Sequence, residues 1–239
     1  MAHSPGTPVR GSGIMDFLLP ESDVQHDVPP RAKKLRDPER TRENILEVAT
    51  LEFAAQGLAG ARVDAIAAKT QTTKRMIYYY FESKENLYAQ VMERAYGGIR
   101  RIEEHMDLDR LDPETALRRL VEFTFDYHDA HPEFVRLVAI ENIHNAEHIK
   151  DSEAVRQTNA PALVVLRHLL ERGHQEGVFK REIDPLDLHL LMSALCFYRV
   201  SNRQTFGTIF NCNLAEPRLR ERQRRMITDT VASYVMSAA

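Results

Sequence analysis

RTRENILEVATLEFAAQGLAGARVDAIAAKTQTTKRMIYYYFESKENLY, residues 40–88, is the stretch on which the reading of this chain turns. Just ahead of it stands Asp37-Pro38, an N-cap followed by proline at the first helical position. Ile45, Val48, Ala49 and Phe53 then recur at helical spacing until Gly57 stops the helix. Val63, Ile66 and Ala67 place a second short helix over about 63–70. After a break at Gln71-Thr72, Thr73 caps a third helix ending near Phe81. Ser83 caps a fourth, which runs through Leu87, Val91, Ala95, Ile99 and Ile102 to Met106. Two short helices across a tight turn, braced by a preceding one, have helix-turn-helix dimensions. Any helical corner would share them. The third helix separates the two readings: Ile77 and Phe81 face inward, which leaves Thr73, Lys74, Arg75, Tyr78 and Tyr79 outward. Adjacent tyrosines suit a plain solvated face poorly. Against a duplex, a phenol hydroxyl donates to phosphate, its ring packs on sugar or a thymine methyl, and lysine and arginine supply charge.

Downstream, the punctuation is regular. Asp112-Pro113 opens a helix to about Ala130, and His131-Pro132 opens one to about His148. Another covers about Glu153 to Glu176 and is closed by Gly177; Asp184-Pro185 opens one to about Asn202, and Pro217 opens the last, to about Met236. No segment alternates with period two. The expected fold is all-α, with about nine helices.

Composition sets the outer bounds. No run approaches the roughly 18–20 apolar residues that a membrane span needs, and MAHSPGTPVRGSG has no apolar core of signal-peptide length. Cys196 and Cys212 define no disulfide framework and read as reduced thiols, so the expected compartment is the cytoplasm. The net charge of −3 argues against nucleic acid until it is divided along the chain. Residues 31–84 carry 11 Lys/Arg against 7 Asp/Glu, whereas 85–239 carry 20 against 24, so a basic module sits on an acidic body. The expected organisation is an extension over 1–36, a DNA-binding unit over 37–84 and a helical unit over 85–239. The extension is rich in Pro, Gly and Ser and ends in Arg31, Lys33, Lys34 and Arg36. Such a basic end can follow a DNA backbone or enter a minor groove.

Residues 40–88 resemble the N-terminal DNA-binding domain of the tetracycline-repressor (TetR) family. The resemblance lies in the first-helix pattern I-L-x-x-A-x-x-x-F-A-x-x-G, in V-D-A-I-A, and in I-Y-Y-Y-F followed by S-K-E-N-L. It implies that Thr73, Lys74 and Arg75 start a recognition helix in the major groove, that Tyr78 and Tyr79 touch backbone or bases, and that Lys84 and Arg62 hold phosphates. It further implies a homodimer on a palindromic operator of double-stranded DNA, most often a repressor, released by a small-molecule effector bound in the larger domain. Where the family usually has glycine in the turn, this chain has Gln71. A left-handed backbone there would cost glutamine on the order of 1 kcal/mol relative to glycine.

For the larger unit the resemblance implies architecture and little chemistry. The last two helices of the family usually pair with their copies. Here 185–202 is apolar nearly all round, and 217–236 carries Leu219, Met226, Ile227, Val231, Tyr234 and Val235. Leu195 and Val231 are the positions where a charge is expected to split the dimer, although a core helix of a monomer would read the same. Polar residues on apolar stripes mark a candidate effector pocket: Thr124, His128, Glu141, Asn145, Arg199 and Asn202. A Glu141–Arg199 ion pair would satisfy two of them internally. A rival from another class rests on Glu141-x-x-His144 and Glu171-x-x-His174, the Glu/His spacing of helical di-metal carboxylate sites. Gly173 and Gly177 weaken it, since they put the second pair at a fraying helix end. No glycine-rich phosphate loop and no Cys/His nucleophile arrangement calls for catalysis, a metal or a cofactor.

Overall fold

The structure, a computed structural model, describes residues 37–238; the 1–36 extension and its basic cluster lie outside the described residues. Ten α-helices follow one another among those residues: α1 (Pro38–Gly60), α2 (Val63–Lys69), α3 (Lys74–Phe81), α4 (Lys84–Glu104), α5 (Pro113–Ala130), α6 (Pro132–Ile143), α7 (Glu153–Gln175), α8 (Pro185–Ser201), α9 (Arg203–Ile209) and α10 (Pro217–Met236). A short 3-10 turn, Leu108–Arg110, precedes α5. The helices start where the caps place them. Thr73, Ser83, Asp112 and Asp184 each accept a hydrogen bond from a backbone N–H in the first turn of the helix they open.

Three apolar cores organise the helices. The first joins α1 to α4 around Phe53, Ile66, Ile77, Phe81, Leu87 and Met92, and takes in Leu137 from α6. The second gathers α5, α7, α8 and α10 around Leu117, Val121, Phe125, Leu166, Leu188 and Val231. A smaller one joins Ile99, Tyr127, Phe134, Val135 and Val200. Helix α4 contributes to the first core with its leading half and to the smallest with its trailing half.

Four departures from the sequence reading have physical causes. Gly57 takes φ 65°, which breaks α1, but the chain resumes helix as far as Gly60. Helix α6 ends at Ile143 rather than near His148, because Asn145 and Ala146 adopt left-handed φ of 56° and 58°. The Ala146 N–H donates back to the Glu141 carbonyl at 2.9 Å, closing the turn. Helix α9 follows α8 directly, with Asn202 ending one helix and beginning the other, so no separate start signal announces it. On α10, Ile227, Val231 and Val235 face the chain's own core, with Val231 fully buried, and Leu195 is half-buried against that core. A charge at Val231 would therefore fall inside the subunit's own core and one at Leu195 at its edge, so neither substitution reports on the dimer alone. The exposed apolar residues of α8 and α10 are Leu186, Leu190, Tyr198, Met226 and Tyr234.

Gln71 stands at φ 52°, the left-handed backbone anticipated for that turn. Gln71→Gly should raise unfolding stability by roughly 0.5–1 kcal/mol, since glycine adopts this conformation without steric cost. Urea denaturation of the two proteins, with an unchanged slope and a higher midpoint for the variant, checks it.

Candidate functional site

Around the turn between α2 and α3, local bonds fix which side chains face out. Thr70 Oγ1 donates to the Ile66 carbonyl at 2.9 Å and so closes α2, and Thr73 Oγ1 accepts from the Met76 N–H at 3.2 Å and opens α3. Ile77 and Phe81 are buried in the first core, which leaves Lys74, Arg75, Tyr78 and Tyr79 exposed; Tyr79 is 75% exposed. Arg62 caps α2 and is also exposed. Lys84, the first residue of α4, donates from Nζ to the Ala61 carbonyl at 3.2 Å.

A shallow hollow of about 450 Å³ gathers Arg62, Lys74, Tyr78 and Lys84 along its rim. Four of the seven expected DNA contacts therefore share one concavity, while Thr73, Arg75 and Tyr79 lie along α3 beside it. The hollow also holds Asp64, whose carboxylate pairs with Lys74 at 3.3 Å, and Glu82 and Glu85. Ser83, read from the sequence only as a cap, lines it as well.

The six candidate effector residues do not meet in one place. Thr124 and His128 line a cavity of about 330 Å³ between α4, α5, α6 and α8. Arg199 and Asn202 border a different hollow of about 210 Å³, between α8, α9 and α10. Asn145 is exposed in the turn after α6. Glu141 is buried and accepts from Tyr88 Oη at 3.0 Å and from the His148 N–H at 2.8 Å, with His148 Nδ1 3.0 Å away. Burial first, and the Glu141 carboxyl second, push the Tyr88 phenol well above its ordinary pKa.

The anticipated Glu141–Arg199 pair is absent, because each group has partners of its own. Arg199 bonds Asp129 at 2.5 Å, Gln223 at 2.8 Å and the Leu214 carbonyl at 2.6 Å, and lies over the Phe125 ring at 4.6 Å. Burial pushes the Asp129 carboxyl up, but Arg199 and Arg220 outweigh it and hold the group below the usual carboxylate range. Neither Glu/His pair of the di-metal rival forms a ligand set. Glu141 is taken by Tyr88 and His148, and His174 Nδ1 lies 3.1 Å from the Phe179 carbonyl. Among the described residues, no three His, Cys, Asp or Glu side chains are grouped to hold a metal ion.

The α4–α8 cavity contains residues that the sequence reading passed over: Tyr96, Arg100, Glu103, Phe134, His189 and Phe197. Tyr96, Arg100 and Glu103 share one stripe of α4, a spacing that would have marked them had both faces of that helix been considered. Arg100 contacts Glu103 directly, and its Nε donates to Asn159 of α7 at 3.0 Å. Burial raises the Glu103 carboxyl, with Arg100 opposing. His128 Nδ1 is buried with no hydrogen-bond partner among the described residues. Burial, then the charge of Arg100 and the nearby His189, lower the His128 pKa from 6.5 to about 4.

That depression has a sign. Below pH 6.5 the unfolded chain takes up a proton that folded His128 refuses, so this group's contribution is fully present above pH 6.5 and is lost as pH falls toward 4. At ~1.4 kcal/mol per unit, the loss between pH 7 and pH 5 is roughly 2 kcal/mol. His128→Asn should show a correspondingly shallower fall, measured by urea denaturation at the two pH values.

Comparison with known proteins places this geometry among relatives. The family profile "Bacterial regulatory proteins, tetR family" matches residues 45–91, and "Tetracyclin repressor-like, C-terminal domain" matches 113–231. The HTH-type transcriptional repressor NicS of Pseudomonas putida is 38% identical over 191 residues, covering 80% of this chain and 90% of that protein. The HTH-type transcriptional repressor SCO4008 of Streptomyces coelicolor is 36% identical over 165 residues, covering 69% of this chain and 81% of that one. Among solved structures, the transcriptional regulator SCO4942 of Streptomyces coelicolor superposes with a TM-score of 0.61 at 27% identity, over 83% of this chain and 99% of that chain.

Proposed function

The chain belongs to the tetR family of bacterial regulatory proteins and is a DNA-binding transcriptional regulator, and from that premise we propose that it is a repressor released from DNA by a small molecule. The hollow that gathers Arg62, Lys74, Tyr78 and Lys84 beside the exposed start of α3 carries this reading. Thr73, Lys74 and Arg75 enter the major groove and Tyr78 and Tyr79 contact sugar, phosphate or base edges. Arg62 and Lys84 hold phosphates on either side. Lys84 already reaches a carbonyl with its ammonium, so it can exchange that acceptor for a phosphate oxygen without leaving its place at the start of α4.

Residues 37–84 form the reading unit and 85–239 the sensing and pairing unit. Two copies pair through the faces that carry Leu186 and Tyr198 on α8 and Met226 and Tyr234 on α10, all more than 40% exposed in the single chain. The pair sets its recognition helices one DNA turn apart, about 34–36 Å, on a palindromic operator. The sensing site is the cavity holding Thr124 and His128, with the hollow at Arg199 and Asn202 the alternative. Glu141, buried on α6, and Asn145, exposed in the turn that follows, lie outside it. The protein acts in the cytoplasm without catalysing a reaction; no described helix is long and apolar enough to cross a membrane.

Lys84→Ala should weaken binding to all sequences alike and flatten the slope of log K against log salt by about 0.9 per phosphate lost, while Arg75→Ala should relax preference at particular operator positions. Binding isotherms over a salt series with selected and scrambled DNA check the division of roles; a change of specificity without a change of slope for Lys84→Ala would contradict it. Met226→Glu and Leu186→Glu, which spare the core, should give folded monomers by light scattering, with affinity for a palindrome reduced at least ~100-fold, about 2.7 kcal/mol.

A further inference from the structure

On the reading that the cavity between α4, α5, α6 and α8 is the effector site, on which this inference rests, its lining groups select among ligand chemistries. Its walls present ring faces and edges. Phe134 stands edge-on to Tyr96 with 5.6 Å between ring centres, His128 stacks on Phe134 at 5.7 Å, and Phe197 meets His128 edge-on at 6.1 Å. Such surfaces favour a flat ring, whose own faces and edges complement theirs, over an alkyl chain of the same size. At about 330 Å³ the space is at the small end of ligand pockets, enough for one or two rings.

Four polar groups of the lining are already committed. Thr124 donates to the Leu120 carbonyl and Asn142 to the Val138 carbonyl, each at 2.9 Å. Arg100 and Glu103 contact one another directly, with side chains only 9% and 10% exposed. The two charges balance one another, so a ligand ion of either sign would add a third, unbalanced charge to a buried site, which is costly. His128 stands apart: its Nδ1 is the one side-chain N or O atom of the described lining that is buried from solvent without a hydrogen-bond partner. It is 4% exposed, and its Nδ1 has no partner among the described residues. A buried polar atom left without a hydrogen bond carries a desolvation penalty that an arriving partner removes.

We infer that the effector is an uncharged planar aromatic molecule of one or two rings, seated among Tyr96, Phe134 and Phe197, with a hydrogen-bonding edge on Nδ1 of His128. The imidazoles in the lining add no charge of their own. Burial first and the charge of Arg100 second depress both His128 and His189, so that each is neutral at pH 7. Neutral His128 offers Nδ1 as donor or acceptor according to its tautomer, so either an amide oxygen or an N–H on the ring's edge can pair with it.

Benzamide, benzoate and cyclohexanecarboxamide are matched in size and differ in charge or in the ring. They are titrated into the full-length protein labelled with 15N-histidine and followed by imidazole NMR. Benzamide should move the one histidine signal that His128→Asn removes, and should bind at least about tenfold more tightly than either of the other two. His128→Leu should lose about tenfold in benzamide affinity, whereas His128→Asn, whose amide reaches the place of Nδ1, should stay within about threefold. Benzoate binding as tightly as benzamide overturns the charge argument, and equal binding of cyclohexanecarboxamide overturns the ring argument. Undiminished binding to His128→Leu, or an unmoved His128 signal in the wild type, overturns the anchor. Should His128→Leu not fold, the wild-type signal decides. The same preparations are tested on DNA selected from a random pool. DNA binding without benzamide binding sinks this inference and leaves the regulator standing, whereas loss of both sinks the regulator reading itself.

Discussion

Glu141 is 2% exposed, and its carboxyl group accepts from Tyr88 Oη and the His148 N–H, with His148 Nδ1 also within 3.0 Å. Tyr88 belongs to α4 and packs edge-on against Phe53 of α1, 5.1 Å between ring centres, inside the core that α1 to α4 share. His148 lies in the turn that follows α6 and sets its ring against Tyr88 at 5.2 Å. A buried acceptor of this kind is satisfied only when α4, α6 and the turn are all in place, and leaving it unsatisfied would cost about 1–3 kcal/mol or more. Arg136, also on α6, donates to the Ala54 carbonyl of α1 at 2.8 Å, and Leu137 enters the same core. Helix α6 is therefore bonded to both α1 and α4, and its sharp stop at Ile143 belongs to the same device: the chain turns back so that the His148 N–H reaches the carboxyl.

A second set of charges fixes the far side. Glu122, Asp126 and Asp129 lie along one face of α5 and meet Arg199 from α8, Arg203 from α9, and Arg220 and Arg224 from α10. Arg199 is the most deeply buried of these, at 5% side-chain exposure. Pairs this deep add little net stability, because desolvation offsets their attraction, but removing one partner is expensive. Their effect is to select one arrangement of α8, α9 and α10 against α5. The exposed apolar residues Leu186, Tyr198, Met226 and Tyr234 thus stand on a fixed frame, which lowers the entropic cost of covering them with a second copy.

What could be read from the sequence was whatever local chemistry decides. The Asp-Pro pairs at 37, 112 and 184 started helices because cap and ring act within one turn. The split of α3 into Ile77 and Phe81 against Tyr78 and Tyr79 followed from helical period, and Gln71 from the backbone the turn requires. Long-range pairing was out of reach. Arg199 demanded an anion, but nothing local distinguishes Asp129, 70 residues away, from Glu141. The end of α6 depended on Ala146 in a left-handed conformation, which an alanine does not announce. Val231 on an apolar stripe declared that it was buried without declaring by which chain. Of the cavity residues of α4, Ile99 lies on the apolar stripe through Leu87 that helical period marks, whereas Tyr96, Arg100 and Glu103 lie on its neighbour, which carries no such mark.

Helix α4 has 21 residues, about 31 Å of continuous helix, and serves both ends of the molecule. Leu87, Tyr88, Val91 and Met92 sit in the core that also holds Ile77 and Phe81 of α3; Tyr96, Ile99, Arg100 and Glu103 line the cavity. Between them α4 is tied to α7 by Ser152, which donates to Glu93 at 3.2 Å, and by Arg100 donating to Asn159. A ligand in the cavity biases DNA binding only to the extent that it binds two arrangements of these contacts differently. Coupling of 1–3 kcal/mol gives about a 5–150-fold change in operator affinity. One hydrogen bond to a charged group contributes about 1.5–3 kcal/mol. On the proposed reading, gaining or losing the Arg100–Asn159 bond has the magnitude a regulatory response needs, without the whole helix being remade.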